Sequence, residues 1–251
     1  MLSKAQISLI TSLQHKKFRK QHGLFIVEGL KSVSEFISSD HQIHSLFATA
    51  EAQAKMDNLP QNIKCITVSL SELQKISLLS NPQGLLALFH LPQQQTVDWA
   101  HIRQQHSLLL DDIQDPGNLG TIIRTAEWFG IQQIICSRGT VDAYNPKVVQ
   151  ATMGSLSRVM ITYMDLSDFI SKAELPTYGA LLDGNSIYET DFGQAGLIMM
   201  GNEGNGISTP LMSAIDYAVT IPRIGKAESL NVAVATTIFC SELARQRLER
   251  K

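Results

Sequence analysis

Short apolar runs alternate along this chain with stretches whose apolar positions recur every three or four residues. The first spacing marks strands and the second marks helices with one buried face. In the first third, residues 5–22 read as a basic helix ending at Gly23. Residues 24–27 read as a strand closing on Glu28-Gly29, and 30–37 as a helix. Residues 45–49, 65–69 and 85–90 read as further strands, with helical stretches at 51–56 and 71–77 between them. This predicts a small α/β unit over 1–95. The segment from Pro92 to Thr96 is polar and lacks periodicity, and a linker over 96–106 leads into a second domain, 107–251.

In the second domain, strands at 107–110, 132–136, 159–163, 178–182, 196–200 and 217–221 alternate with helices at 118–129, 146–152 and 166–173, and with a short one near Ser208 that has Pro210 in its first turn. That alternation predicts a mostly parallel sheet covered on both faces, with ligands beyond the carboxyl ends of its strands. The last helix is built largely from small and β-branched residues. Ser229 is the expected N-cap and Asn231 lies in its first turn. Residues 232–240 are apolar on nearly every side, which predicts burial.

Composition narrows the classes. With 251 residues, 44% of them hydrophobic, the chain can bury one large core or two smaller ones. The net charge is −2, but its distribution is uneven. Residues 1–106 carry ten Lys or Arg against seven Asp or Glu, and the remainder eleven against sixteen. Within 1–31, six basic residues meet one acidic one, which is either a solvated helix face or the footprint of a nucleic-acid site. Cys65, Cys136 and Cys240 are scattered, so no disulfide framework and no zinc site is expected, and a reducing cytoplasm fits. No signal-peptide pattern opens the chain, and no stretch reaches the roughly 18 apolar residues of a membrane span. All seven histidines precede residue 107, which argues against a Ser-His-Asp hydrolase or a His-ligated metal in the second half.

Three polar or glycine-rich segments follow strands. In the first, Pro116-Gly117 makes a turn, Asn118 can cap the next helix, and Arg124 lies two turns in. Arg124 is either a surface residue paired with Glu127 or stacked on Trp128, or a guanidinium fork for phosphate or ribose oxygen. The second is Gly201-Asn202-Glu203-Gly204-Asn205-Gly206, which is neither the dinucleotide fingerprint nor a P-loop. Glu203 there disfavours a phosphate and suits a cationic or hydroxyl-bearing ligand. The third runs from Ile221 through Ser229 to Asn231, where Ser229 is either a bare cap or part of a site.

Taken in order, these segments resemble the three motifs of the SpoU/TrmH family of RNA 2′-O-ribose methyltransferases, within the SPOUT superfamily. They are Asp115-Pro116-x-Asn118-x-Gly120 with Ile122-Ile123-Arg124-Thr125-Ala126; Gly201-Asn202-Glu203-Gly204-x-Gly206-Ile207; and Ile221-Pro222 with Ser229-Leu230-Asn231-Val232-Ala233. The resemblance covers 107–251 strongly and, through Phe25-Ile26-Val27-Glu28-Gly29, extends to the family's small substrate-binding domain. It implies methyl transfer from S-adenosyl-L-methionine to a ribose 2′-hydroxyl of rRNA or tRNA, without a metal. It implies a cofactor site around Leu182, Gly184, Gly201, Ile221 and Leu230, and a reacting site of Asn118, Arg124, Glu203, Ser229 and Asn231, with Ser229 holding Arg124 or Glu203. It implies a trefoil knot near the C-terminus, a homodimer, and RNA guided by Lys16, Lys17, Arg19 and Lys20. Two other classes stay open: a non-catalytic RNA-binding protein with this fold, and a nucleotide-dependent oxidoreductase, against which the missing Gly-x-Gly-x-x-Gly weighs.

Overall fold

A computed structural model describes residues 2–56, 63–93 and 97–250. Three of the boundary residues expected above, 94–96, lie outside that set. In chain order the elements are α1 (Lys4–Ser12), α2 (Lys16–His22), β1 (Leu24–Glu28), α3 (Leu30–Ile37), β2 (Ile43–Ala48), α4 (Ala50–Ala54), β3 (Cys65–Thr67), α5 (Leu70–Leu73) and β4 (Leu85–His90). Then follow α6 (Trp99–Ile102), β5 (His106–Leu110), α7 (Pro116–Trp128), β6 (Gln133–Cys136), α8 (Pro146–Ala151), β7 (Met160–Tyr163) and α9 (Leu166–Ala173). The chain ends with β8 (Thr177–Ser186), β9 (Gly196–Met200), α10 (Thr209–Met212), β10 (Tyr217–Thr220) and α11 (Val232–Glu249). Two compact units form: Met1–Gln95 with Asp142–Ser157, and Thr96–Val141 with Arg158–Lys251.

In the first unit the strands run β1-β4-β2-β3, with β1 and β2 both antiparallel to β4. The period-2 alternation of β1 sorts its side chains cleanly. Leu24 and Ile26 join a core with Ile10, Leu13, Phe47, Leu86 and Leu88. Phe25 faces the other way, among Phe36, Phe89 and Tyr144, with its ring 4.8 Å from that of Tyr144. Tyr144 belongs to a segment that follows β6 in sequence yet packs here. The single basic helix expected over 5–22 is two helices. Ser3 caps α1 with a capping box, and Gly23, at φ +64°, closes α2.

The second unit is a six-stranded, wholly parallel sheet in the order β10-β8-β9-β5-β6-β7. Leu109, Ile135, Leu197 and Met199 turn to one face, under Ile102, Leu166, Phe169 and Leu211 from α6, α9 and α10. On the other face α7 and α11 pack side by side, with the Thr125 and Thr237 hydroxyls 3.3 Å apart. Because every strand runs the same way, the segments after β5, β9 and β10 leave along one edge. From β5 the chain proceeds to β6 on one side, while β9 lies on the other. The site beyond β5 is therefore a topological switch point, where open α/β sheets hold their ligands.

One irregularity sits at that edge. Gly179 of β8 faces Ala218, but the next residue of β10, Val219, faces Asn185. Residues 180–184 thus bow out between two consecutive positions of β10. The Leu182 carbonyl accepts from the Thr220 hydroxyl at 2.9 Å. Gly184 returns so close to β10 that a Cβ would lie 2.5 Å from the Ala218 oxygen.

Candidate active site

The cap of α7 differs from expectation. Asp115, not Asn118, is the N-cap: its carboxylate accepts from the Asn118 amide N–H at 2.8 Å, and Pro116 takes the first helical position. An ionised Asp at a helix start satisfies an orphan N–H and meets the positive end of the dipole. The side chain of Asn118 is thereby released from capping.

A matching correction applies to α11. Its N-cap is Asn231, whose Oδ1 accepts from Ala233 and Val234 N–H groups at 2.9 and 3.3 Å. Ser229 lies in the exposed segment two residues earlier and caps nothing. Asn is as good a cap as Ser, and its amide leaves two donors over for a second task. Burial of α11 follows the pattern at Val232, Ala233, Thr236, Phe239 and Cys240, but Val234 is exposed.

These released groups meet. Asn231 Nδ2 donates to Asn118 Oδ1 at 3.0 Å, and Asn118 Nδ2 donates to Glu203 Oε1. The direction of every bond is forced. Helix N–H groups only donate, so Asn231 must present its oxygen to them. A carboxylate only accepts, so Asn118 must present its amide to Glu203. Three residues from three segments thus form one polarised chain, from a carboxylate to a helix N-terminus.

Arg124 and Ser229 are not in that chain. Arg124 is exposed on α7 and has no hydrogen bond or ion pair among the described residues. Glu127, its expected partner, takes Arg158 at 3.0 Å, and Trp128 stands 80% exposed. Among the described residues Ser229 makes no hydrogen bond to Arg124 or Glu203, and it is Asn118 that donates to Glu203.

The glycine-rich turn after β9 is closed on itself. Asn202 and Gly206 exchange both backbone bonds, at 3.0 and 2.9 Å, and Gly206 has φ +66°. A Cβ at Gly201 would lie 2.2 Å from the Gly206 backbone, so only glycine fits there. The segment 221–231 is the opposite case. Among the described residues, no backbone–backbone bond holds residues 222–230, and the one side-chain bond within them runs from Arg223 to the Ala227 carbonyl at 3.2 Å. Beside these free peptide groups stand exposed apolar side chains: Leu230 in the same segment and Leu182 in the bow of β8. Unpaired backbone donors and acceptors next to apolar surface fit a flat, neutral ring carrying a polar tail.

The basic patch also needs correcting. Lys16, Lys17 and Lys20 are exposed on α2, but Arg19 is only 2% exposed. It pairs with Asp142 at 2.6 Å and donates to the Leu13 and Gln14 carbonyls at 2.8 and 2.9 Å. A guanidinium with its donors spent inside the fold cannot also contact a phosphate. Its neighbours, the end of α1 and the segment after β6, were invisible to helical spacing.

Residues 105–241 match the model of the SpoU rRNA Methylase family, and residues 4–87 match an MRM3-like substrate binding domain. The chain is 32% identical to the 23S rRNA (guanosine(2553)-2′-O)-methyltransferase RlmP of Bacillus subtilis, over 92% of each chain. Among solved structures, a putative RNA methyltransferase of the TrmH family from Porphyromonas gingivalis superposes with a TM-score of 0.89 at 39% identity, over 98% of this chain and 99% of that one. An AdoMet-bound rRNA methyltransferase from Sinorhizobium meliloti superposes with a TM-score of 0.86 at 29% identity, covering 98% and 96%.

Proposed function

The chain belongs to the SpoU rRNA Methylase family, and from that premise we propose that Asn118, Arg124, Glu203, Ser229 and Asn231 carry methyl transfer to a ribose 2′-hydroxyl of large-subunit rRNA. The protein is an S-adenosyl-L-methionine-dependent RNA 2′-O-methyltransferase. The rRNA substrate is supported by the Bacillus subtilis relative, whose name specifies 23S rRNA.

The observation that carries the site is the hydrogen-bonded chain Glu203–Asn118–Asn231 at the switch point of the sheet. It locks two amide planes and a carboxylate beside a helix N-terminus, a preorganised environment that needs no reorganisation during reaction. Leu182, Gly184, Gly201, Ile221 and Leu230 hold the cofactor, chiefly through the unpaired backbone of the segment after β10. When bound, S-adenosylmethionine supplies a methyl group activated by its sulfonium. Glu203 gives that cation a favourable electrostatic neighbour. Arg124 stabilises the negative charge that develops on the 2′-oxygen. This role suits a guanidinium better than proton abstraction does, because a guanidinium is a very weak base. Asn118 and Asn231 orient the ribose, and Ser229 adds its hydroxyl from the exposed stretch that precedes the α11 cap.

Lys16, Lys17 and Lys20 contact RNA phosphates, now without Arg19. A homodimer is supported by apolar residues left bare on the paired helices: Trp128 on α7, Val234 and Leu248 on α11. Light scattering should give twice 27.7 kDa, and a mass of one chain would refute it. A trefoil knot near the C-terminus is supported by the path from edge strand β10 back to α11, which packs on α7. The cytoplasm suits three free cysteines.

The test is methyl transfer from tritiated S-adenosylmethionine to unmodified 23S rRNA and, separately, to unmodified tRNA transcripts, followed by mapping of 2′-O-methyl positions. One modified ribose in 23S rRNA is expected. Label confined to tRNA would overturn the rRNA assignment, and label on a base would overturn the chemistry.

A further inference from the structure

We propose that Asn202 is a positioning residue for methyl transfer. Its carboxamide ties the turn that carries Glu203 to the end of β5, and so holds Glu203 against Asn118. The inference rests on the catalytic reading of Glu203 and Asn118 given above.

Both ends of the Asn202 side chain are occupied. Oδ1 accepts from the Gly204 N–H at 2.8 Å and the Asn205 N–H at 3.2 Å. Nδ2 donates to the Asp112 carbonyl at 2.8 Å. The orientation has no alternative, because two N–H groups require the oxygen on one side and a carbonyl requires the amide on the other. The first pair of bonds curls residues 202–205 so that Glu203 projects from the turn. The third fixes that turn to the segment leading into α7.

The Asp112 side of this bond is built with care. Asp112 has φ +57°, a left-handed conformation that costs a non-glycine residue. Its amide N–H is held by the Ser137 hydroxyl at 2.8 Å. Its carboxylate accepts from Gln114 Nε2 at 2.6 Å and lies where a Cβ on Gly139 would have to sit, 2.3 Å away. Strain at one residue is sustained by three neighbours, and the carbonyl so held is the one that receives Asn202.

Closing the turn alone would not require this link. The Asn202–Gly206 backbone bridge already closes it. Among the described residues, three side-chain bonds join the segment 111–118 to the segment 201–208. Asp111 accepts from the Ser208 N–H at 2.8 Å at one end, Asn118 donates to Glu203 at the other, and Asn202 to Asp112 lies between. Glu203 is exposed, and among the described residues Asn118 is its one hydrogen-bond partner. Its position therefore depends on how the turn is tethered.

The experiment is a double-mutant cycle in the full-length protein. Asn202→Asp keeps the acceptor for the two N–H groups but sets an oxygen against the Asp112 carbonyl. Glu203→Ala removes the group being positioned. Turnover on unmodified 23S rRNA transcript, KM for that transcript and cofactor affinity by calorimetry are measured for both single variants and the double. Asn202→Asp should lower kcat about 30-fold, as a displacement of about 1 Å can. KM and cofactor affinity should change less than about threefold, which a general loss of fold would not spare. The double variant should be no slower than Glu203→Ala alone, because contacts acting through one group do not add. Asn202→Asp near wild-type turnover while Glu203→Ala is slow overturns the inference and leaves the site reading intact, and so does a double variant slower by the product of the two effects. Glu203→Ala at wild-type turnover overturns both. Should Asn202→Asp fail to fold, Asn202→Ser, too short to reach Asp112, enters the same cycle.

Discussion

Helices α2 and α7 each carry an arginine that the sequence presents in the same way, as a cation on a helix near a polar turn. The fold treats them oppositely. Arg19 is buried in the first unit against Asp142 and two carbonyls. Arg124 stands exposed in the second unit and is left without a partner among the described residues. One guanidinium has its donors consumed by structure, and the other has them in reserve. The charge of an arginine is constant, so its role is decided by how many acceptors the fold brings to it.

The sharpest way to break this contrast is at Arg19. Arg19→Ala strands the Asp142 carboxylate and two carbonyls, a loss of about 3–5 kcal/mol in stability. It should appear as a lower midpoint in urea for the first unit. A change below about 1 kcal/mol would place Arg19 back among surface residues. Arg124→Ala is the converse. Turnover should fall about 100-fold, the scale for removing one charge-stabilising group, at unchanged melting temperature. Retained methyl transfer by a folded variant would remove Arg124 from the reacting site.

Reversing Lys16, Lys17 and Lys20 to Glu should weaken RNA binding about tenfold or more and flatten its salt dependence, with Tm unaltered. Unchanged affinity for a 23S rRNA transcript in filter binding would refute the phosphate role. The smallest effect is on pH. Burial holds the imidazoles of His41, in the first unit, and His106, in the second, below their ordinary range. Their unfolded forms take up protons first, so the stability they contribute is full above about pH 6.5 and is lost as pH falls below it. His106→Gln should blunt the acid dependence of melting. Identical slopes in variant and wild type would show that His106 does not titrate differently on unfolding.

The three segments that carry the proposed site were legible because they are local: polar runs at the ends of apolar strands, where a parallel sheet keeps its ligands. The choice of Asn118, Arg124, Glu203, Ser229 and Asn231 within them came from the family resemblance. The caps were not legible: Asn118 and Ser229 are the ones expected, yet Asp115 and Asn231 take those places, because all four residues suit a helix start and spacing does not say which oxygen meets which N–H. Asn202 stands in the second motif, but its link to Asp112 was not legible. An Asn between a glycine and a glutamate in a glycine-rich run reads as a turn residue, and nothing in the run shows that its amide reaches a carbonyl ninety residues away.

The sequence by itself determined the alternation of strand and helix, the parallel sheet and the three segments at its edge, because periodicity and turn chemistry act over a few residues. The tertiary structure alone decided that Asp142–Ser157 packs with the first unit, that Arg19 is internal, and that Glu203, Asn118 and Asn231 form one chain. Those facts depend on partners brought together from distant parts of the chain. A hydrogen bond or ion pair has no sequence signature until the fold has placed both its ends within 3 Å.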